Sequence, residues 1–270
     1  MDKFRVALSG DFIRPDGSPA FSSIDLGLLA AESNLEFAFL DGYRKFDVGE
    51  DAVLRAEDLA DFDAFIMYTQ RFTRASARAG SRLALVARLG VGYDTVDVRA
   101  CSEAGIALTI TPLGVRRPVA AALVTLILAV TGKLLAKDRL TRGGPARWDE
   151  QIDHMGFGLT GRTLGMLGVG NVGAEAVRLI KPFEMAVIGH DPYVEPAKLA
   201  SLGVRAVALD DVFRLADVLA VCCPLNAETH HLVDARRLAL MKPTAYLVNV
   251  ARGPIVDQDA LVEALRAGRL

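Results

Sequence analysis

The chain has 270 residues, of which 51% are hydrophobic, and its 31 lysines and arginines nearly balance its 33 aspartates and glutamates. This length suits two domains, and the apolar fraction is large enough for sizeable cores. No basic block is longer than "VRR". The broad positive surface of a nucleic-acid-binding protein is therefore missing, and no nucleic-acid partner is predicted.

The cysteines and the apolar runs predict a soluble cytoplasmic protein with no membrane partner. Cys101, Cys222 and Cys223 are odd in number, and their spacing fits buried free thiols in a reducing compartment rather than metal ligands, so no metal is predicted. The start of the chain, "MDKFRVALSG", is typical of a strand and not of a signal peptide. The longest apolar run, residues 119–130, is shorter than the ~20 residues that span a bilayer and predicts a buried helix.

Short β-branched runs alternate with helical patterns along almost the whole chain, which predicts an α/β fold with parallel sheets. Between the two sets of strands, a long helix is predicted from Pro118 to Asp138, since proline suits a first helical turn, and a loop over 141–150. The strand candidates are residues 4–10, 35–40, 64–69, 83–90 and 106–110, and then 163–170, 186–191, 204–209, 217–225 and 244–251. Helical segments are predicted between them, for example around 53–60 and 95–104. The domain boundary is placed near residue 111.

The stretch "LGMLGVGNVGAEAVRLI" contains Gly168, Gly170 and Gly173 as G-x-G-x-x-G between a predicted strand and a predicted helix. Glycine-rich turns are common, but this one has the context that a dinucleotide-binding turn requires. The first glycine permits the tight turn, the second lets the backbone approach a pyrophosphate, and the third permits close helix–strand packing. The N-terminus of the helix supplies N–H groups and a positive dipole for the phosphates.

Asp191 follows Gly173 by 18 residues and ends the next predicted strand. A carboxylate there can accept hydrogen bonds from a ribose diol and repel a 2′-phosphate. The alternative is a simple turn residue before Pro192. Together with the glycines, Asp191 favours NAD as the cofactor over NADP.

Two further strand ends predict a place for a small anion. In "LVNVARGPIVD" (247–257) an apolar strand ends at Arg252, whose planar guanidinium can hold a carboxylate with two parallel hydrogen bonds. In "RLGVGYDTVD" (88–97), Gly90 and Gly92 leave the N–H groups around Val91 open to an anion. The alternatives are an ordinary surface charge and a plain strand-to-helix turn.

The chain resembles the D-isomer-specific 2-hydroxyacid dehydrogenase family over roughly residues 60–270. The matching motifs are "GVGYDTVD", "LTGRTLGMLGVGNVG", "DVLAVCCPLNAETHHLV" and "LMKPTAYLVNVARGPIVDQDALVEAL". The resemblance implies two Rossmann-like/flavodoxin-like parallel-sheet domains separated by a cleft. Residues 1–111 would form the substrate-binding domain and 112–270 the NAD-binding domain. It also implies a homodimer whose interface uses the long helix after residue 117.

The resemblance implies reversible hydride transfer between NAD(H) and C2 of a small 2-oxo or D-2-hydroxy acid. At the matching positions, Arg252 would bind the substrate carboxylate, and Val91 and Gly92 would offer backbone N–H groups to it. The cofactor-binding set comprises Gly168, Gly170, Asn171, Val172, Gly173, Asp191, Cys223, Pro224, Thr229, Val250 and Ala251. A non-enzymatic NAD(H)-sensing module, of the corepressor type in the same family, is the alternative.

The sequence departs from the family in its proton donor. In the family a histidine, positioned by a glutamate, follows the last strand of the nucleotide domain, and neither residue is found before Leu270. We therefore expect a chain that lacks this strand, the two catalytic residues and the segment that returns to the first domain. His230 and His231 are the only plausible substitutes, and a solvated role is expected for them instead.

A second departure lies in "GVRRPVAA" (114–121), where the family has a small polar residue and then V-A-E. Arg117 is a candidate for binding a second anionic group of the substrate. The alternative is that Arg116 and Arg117 are solvent-exposed or contact a second subunit.

Overall fold

The computed structural model describes residues 3–14, 16–21, 26–40 and 54–270. The chain divides into two compact units, one up to Pro112 and one from Leu113 to Leu270. In each unit the described strands form one five-stranded sheet in which every pair is parallel. The predicted α/β fold with two parallel sheets is therefore confirmed, while the cleft predicted between them stays a prediction.

The sheet of the first unit has the order β2-β1-β3-β4-β5. Its strands are β1 (Phe4–Ser9), β2 (Leu35–Leu40), β3 (Ala64–Met67), β4 (Leu85–Arg88) and β5 (Ala107–Ile110). Its described helices are α1 (Gly27–Ala30) and α2 (Val98–Ala104), with short 3-10 helices at Gly10–Phe12 and Ala56–Leu59. The helix predicted around 53–60 is thus a single 3-10 turn in its described part, and residue 53 lies outside the described residues.

The sheet of the second unit has the order β10-β9-β6-β7-β8. Its strands are β6 (Thr163–Leu167), β7 (Ala186–His190), β8 (Arg205–Ala206), β9 (Val218–Val221) and β10 (Tyr246–Asn249). Its α-helices are α3 (Pro112–Thr131), α4 (Leu134–Gly143), α5 (Asn171–Ile180), α6 (Pro196–Ser201), α7 (Leu209–Leu215), α8 (Ala235–Leu238) and α9 (Gln258–Arg266). Three 3-10 helices lie at Pro145–His154, Lys181–Phe183 and Gly253–Ile255, so the loop predicted over 141–150 is largely helical.

The central strands of the second unit are buried on both faces. Successive side chains of a strand point to opposite faces, and in β9 Val218 and Ala220 pack in one apolar cluster while Leu219 and Val221 pack in another. Burial on both faces explains why these strands read as continuous apolar runs in the sequence. It also leaves the carboxyl ends of the strands as the polar edge where a ligand can bind.

The helix predicted over 118–138 is wrong at both ends. The structure has one helix from Pro112 to Thr131 and a second from Leu134 to Gly143. Pro112 takes the first helical position, and Pro118 lies inside the helix, where it cannot donate to the carbonyl of Gly114. Gly114 is exposed, so water can satisfy that carbonyl. The first helix ends where Lys133 adopts a left-handed conformation with φ 50°.

The prediction that the run 119–130 is a buried helix is also wrong. Only one side of α3 is buried, through Ala120, Leu123, Ile127 and Thr131. By length and composition this helix could also cross a bilayer. Apolar side chains that are more than a third exposed continue from α3 into the following segments: Leu126, Leu128, Val130, Leu134, Leu135, Trp148, Ile152 and Met155. We call this set the apolar stripe.

Two arginines bind one glutamate and fasten the start of α3 to α5. The Nη1 atom of Arg117 lies 2.7 Å from Oε1 of Glu175, and Nη2 of Arg178 lies 2.8 Å from the same oxygen. The Glu175 side chain is only 11% exposed. Hydrogen bonds from Arg178 and then from Arg117 outweigh its burial and lower the pKa of Glu175 to about 2.

The Glu175 cluster predicts a specific loss of stability in acid. Because the folded-state pKa is about 2 and the ordinary value is 4.5, the contribution of Glu175 is full above pH 4.5 and is lost as the pH falls toward 2. The difference in unfolding free energy between the wild type and Glu175→Gln should be constant near neutrality and should shrink below pH 4.5. Urea titrations across pH 3–7 measure it, with Glu57→Gln, an exposed glutamate, as the control. A difference independent of pH would contradict the assignment.

Candidate active site

The glycine turn after β6 is fixed by a close approach between two backbones. Gly168 has φ 88°, and a Cβ atom there would lie 2.7 Å from the backbone nitrogen and 2.8 Å from the Cα of Cys223. A Cβ on Gly173 would lie 2.6 Å from the carbonyl oxygen of Gly168. Both positions therefore require glycine, the first for the turn and the second for packing α5 against it, as the motif predicts.

Gly170 is a glycine for a different reason. It is the N-cap of α5, no side chain caps the helix there, and a Cβ atom at Gly170 would have no atom within 4 Å. The fold therefore leaves open space at the point where the first N–H groups of Asn171 and Val172 face outward from the helix. A ten-residue helix that begins in this way provides N–H groups and a positive dipole for a phosphate.

Asp191 lies beside this turn, just beyond the end of β7. Its Oδ2 accepts a hydrogen bond from the N–H of Val169 at 2.8 Å, and its Oδ1 accepts one from the N–H of Tyr193 at 3.0 Å. The carboxylate is thus held in a fixed orientation next to the glycine loop. A cavity of about 270 Å³ adjoins it, and its walls include Asp191, Pro192, Val194 and Val207. Apolar walls beside a carboxylate suit a base and its ribose.

The loop after β9 forms the other side of the turn. The Thr229 hydroxyl donates to the carbonyl of Pro224 at 2.6 Å, and Oδ1 of Asn226 accepts from the N–H groups of Glu228 and Thr229 at 2.9 and 3.0 Å. Burial raises the pKa of the Cys222 thiol to about 12 and that of Cys223 to about 11. Cys223 therefore contributes its backbone to the turn and a neutral thiol to the core.

Arg252 lies beyond the end of β10 on a backbone that Asn249 holds. The side chain of Asn249 donates from Nδ2 to the Arg252 carbonyl at 2.8 Å and accepts from the N–H of Ala251 at 2.9 Å. The Nη1 of Arg252 donates to the Ala251 carbonyl at 2.9 Å, and the side chain is partly buried. A second link joins this segment to the loop after β9, since the N–H of His231 donates to Pro254 at 2.9 Å.

In the first unit, the predicted anion turn follows β4. Gly90 has φ 128°, its N–H donates to the Thr111 hydroxyl at 2.7 Å, and its carbonyl accepts from the N–H of Thr111 at 2.9 Å. Thr111 therefore fixes the turn that contains Val91 and Gly92. Both residues are partly exposed. Their role in binding a substrate stays a prediction.

The second unit brings most of the predicted residues to one edge of its sheet. The glycine turn, Asp191, the 223–229 loop and the segment from Val250 to Arg252 all follow carboxyl ends of its parallel strands. Arg117 binds Glu175. Its predicted contact with the substrate stays a prediction. His230 and His231 stack on each other at 4.0 Å in the loop after β9, and both are exposed.

Three residues of this edge were not predicted from the sequence. Asn249 positions the Arg252 backbone, and Tyr193 donates from its hydroxyl to Oε2 of Glu228 at 2.6 Å. An asparagine at the last position of a buried strand is a recognisable sign of a side chain that bonds the next turn. No local pattern indicates the Tyr193–Glu228 contact, because the two residues are 35 positions apart.

Residues 124–270 match the family model described as "D-isomer specific 2-hydroxyacid dehydrogenase, NAD binding domain". Among curated proteins, a glyoxylate reductase of Thermococcus onnurineus is 34% identical over 219 residues, which are 78% of this chain and 65% of that protein. A D-3-phosphoglycerate dehydrogenase of Methanocaldococcus jannaschii is 34% identical over 217 residues, 79% of this chain and 41% of that protein. The chain thus spans less than two thirds of the length of these relatives.

Solved structures of dehydrogenases are similar to this chain as well. The D-lactate dehydrogenase of Aquifex aeolicus, complexed with NAD and lactic acid, is 25% identical with a TM-score of 0.79, and the match covers 98% of this chain and 74% of that one. An NAD-dependent formate dehydrogenase of Staphylococcus aureus, in complex with NAD, is 27% identical with a TM-score of 0.78 over 99% and 79% of the two chains.

The glycine turn predicts opposite results for two similar substitutions. Gly168→Ala should lower the free energy of unfolding by about 2–4 kcal/mol. Residue 168 has a left-handed backbone conformation that disfavours alanine, and the added Cβ would collide with the backbone of Cys223. Gly170→Ala, in open space at the N-cap of α5, should lower the free energy of unfolding by about 1 kcal/mol or less but weaken NADH binding about tenfold or more. Urea unfolding and fluorescence titration measure the two effects. Equal stability of the two variants would contradict this account of the turn.

Proposed function

Because the chain belongs to the D-isomer specific 2-hydroxyacid dehydrogenase family, we propose that it binds NAD(H) and catalyses hydride transfer at C2 of a small D-2-hydroxy or 2-oxo acid. The observation that carries the proposal is the position of Arg252. It follows the end of β10, on the same sheet edge as the glycine turn after β6. A cation that can hold a carboxylate thus shares an edge with a dinucleotide-binding turn.

The residues of the second unit fit NAD. The N-terminus of α5 and the open side of Gly170 would hold the pyrophosphate, and Asp191 would accept the ribose hydroxyls. Both oxygens of Asp191 already accept a backbone N–H, which keeps the carboxylate in place without using all of its lone pairs. When bound, NAD(H) supplies or accepts the hydride.

Arg252 is assigned to binding the substrate and not to proton transfer. A guanidinium has five N–H donors in a fixed planar fork and no acceptor atom, which suits it to holding an anion. Its planar donors match a carboxylate, and Asn249 fixes the backbone from which the side chain extends. Binding therefore needs little reordering of the loop, which preserves affinity and orientation.

We further propose that the protein is a cytoplasmic homodimer and that the apolar stripe forms its interface. The stripe exposes leucines together with Trp148, and tryptophan is enriched at protein interfaces. An exposed apolar surface of this kind marks a contact with another protein or with a membrane. A second copy of the chain can bury this apolar surface without a bilayer.

The role of Arg252 can be tested in the full-length protein by NADH oxidation against a panel of 2-oxo acids such as glyoxylate, pyruvate and hydroxypyruvate. Arg252→Ala should lower kcat/KM by about 10²–10³-fold, because a partly buried carboxylate loses its bidentate partner, while the Kd for NADH stays within about twofold. Arg214→Ala, an exposed arginine on α7, is the control. An unchanged kcat/KM would contradict the assignment. NADH binding by the full-length wild type without turnover of any acid would favour the alternative sensor function.

The dimer can be tested by light scattering after size exclusion. The wild type should elute as a dimer, and the double variant Leu135→Asp/Trp148→Asp should be monomeric, because it places charges among apolar side chains that are 70% and 55% exposed in the single chain. Leu28→Asp, at an equally exposed leucine of the first unit, should leave the dimer intact. A monomeric wild type, or one that sediments with phosphatidylcholine vesicles, would contradict the proposed interface.

A further inference from the structure

One hydrogen bond joins the loops on either side of the glycine turn. Tyr193, in the loop after β7, donates from its hydroxyl to Oε2 of Glu228, in the loop after β9, at 2.6 Å. In the sheet, β6 lies between β7 and β9. The bond therefore connects the two neighbours of the strand whose end carries Gly168 and Gly170, and it flanks the edge where a dinucleotide would lie.

Both ends of this contact are held by their own backbones. The N–H of Tyr193 donates to Oδ1 of Asp191 at 3.0 Å, so the backbone of Tyr193 is held by the carboxylate that we propose binds the ribose. The N–H of Glu228 donates to Oδ1 of Asn226 at 2.9 Å, and the Thr229 hydroxyl closes the same loop on Pro224 at 2.6 Å. These bonds fix the backbone of the loop, and the hydrogen bond from Tyr193 fixes the position of the Glu228 carboxylate.

The exposure of this contact means that it contributes little to the stability of the fold. Tyr193 is 75% exposed, and Glu228 is exposed as well. Hydrogen bonds and charges in such a position contribute little to the free energy of unfolding, since water competes for every partner. We therefore expect this hydrogen bond and the charge of Glu228 to change the affinity of a ligand that binds between the two loops.

The contact brings the negative charge of Glu228 to the loop that also carries Asp191. The hydrogen bond to Glu228 and the charge of Glu228 raise the pKa of the Tyr193 phenol most, and burial and then the charge of Asp191 raise it further. One tyrosine hydroxyl therefore senses two carboxylates, one from each loop. A ribose diol is neutral and tolerates both, whereas a 2′-phosphate carries about −1.5 to −2 charges at neutral pH and is repelled by each.

We propose that Glu228, held by Tyr193, is a second determinant of cofactor choice that excludes NADP(H) in addition to Asp191. The proposal rests on the proposed binding of NAD(H) and extends it to a residue outside the glycine turn and the strand end of β7. Glu228 is here a specificity residue and takes no part in the reaction.

The test compares NADH and NADPH binding by fluorescence titration at low and high salt. Glu228→Gln keeps an oxygen that accepts from Tyr193 and removes only the charge. It should tighten NADPH binding about three- to tenfold and change NADH binding by less than about twofold. The NADPH effect should shrink at 0.5 M salt because the charges are screened. Tyr193→Phe, which frees Glu228 but keeps its charge, should give a smaller gain for NADPH.

The control is Glu263→Gln, which removes an exposed carboxylate from α9 and should alter neither affinity. An equal shift of both affinities in Glu228→Gln, or no shift for NADPH, would overturn the role of Glu228 and leave the proposed function in place. If the wild type bound neither nucleotide, the proposed function would fail, and this inference with it.

Discussion

The approach of two backbones at the end of β6 is the constraint on which the candidate site depends. Gly168 turns the chain within van der Waals contact of Cys223 at the end of β9, and Gly173 lets α5 pack against that turn. The strand, the helix and the neighbouring loop therefore meet without side chains between them. This contact fixes where the N-terminus of α5 is presented, and Asp191 and Arg252 follow other strands of the same sheet.

The parts of the fold that the sequence predicts are those with a local cause. Buried strands such as β6 and β9 carry apolar residues on both faces, and the glycine spacing reflects contacts within one turn. Strand ends are less visible: the run predicted at 204–209 forms a strand only at Arg205–Ala206, because α7 begins at Leu209. The predicted start of α3 at Pro118 is wrong because a proline inside a helix is tolerated where water satisfies the exposed carbonyl.

Contacts between distant residues could not be predicted from one sequence. Arg117 is separated by 58 positions from Glu175, and nothing in "VRRPVAA" indicates that its partner lies on the glycine-turn helix. Likewise, which side of α3 is exposed depends on residues of the unit that are distant in the sequence and pack against only one side of the helix. An apolar run predicts burial, but it does not distinguish burial within one chain from burial against a second one.

The two bonds that Asp191 makes have a consequence for the evolution of this site. The carboxylate proposed to read the ribose also holds the Val169 N–H, and hence the glycine loop, in place. A substitution that removes this acceptor oxygen would loosen the glycine turn at the same time. Recognition and architecture are thus combined in one side chain, whereas Glu228 has no backbone of the turn to support. A lineage that changes its nucleotide preference is therefore expected to begin at position 228, where the change leaves the turn intact.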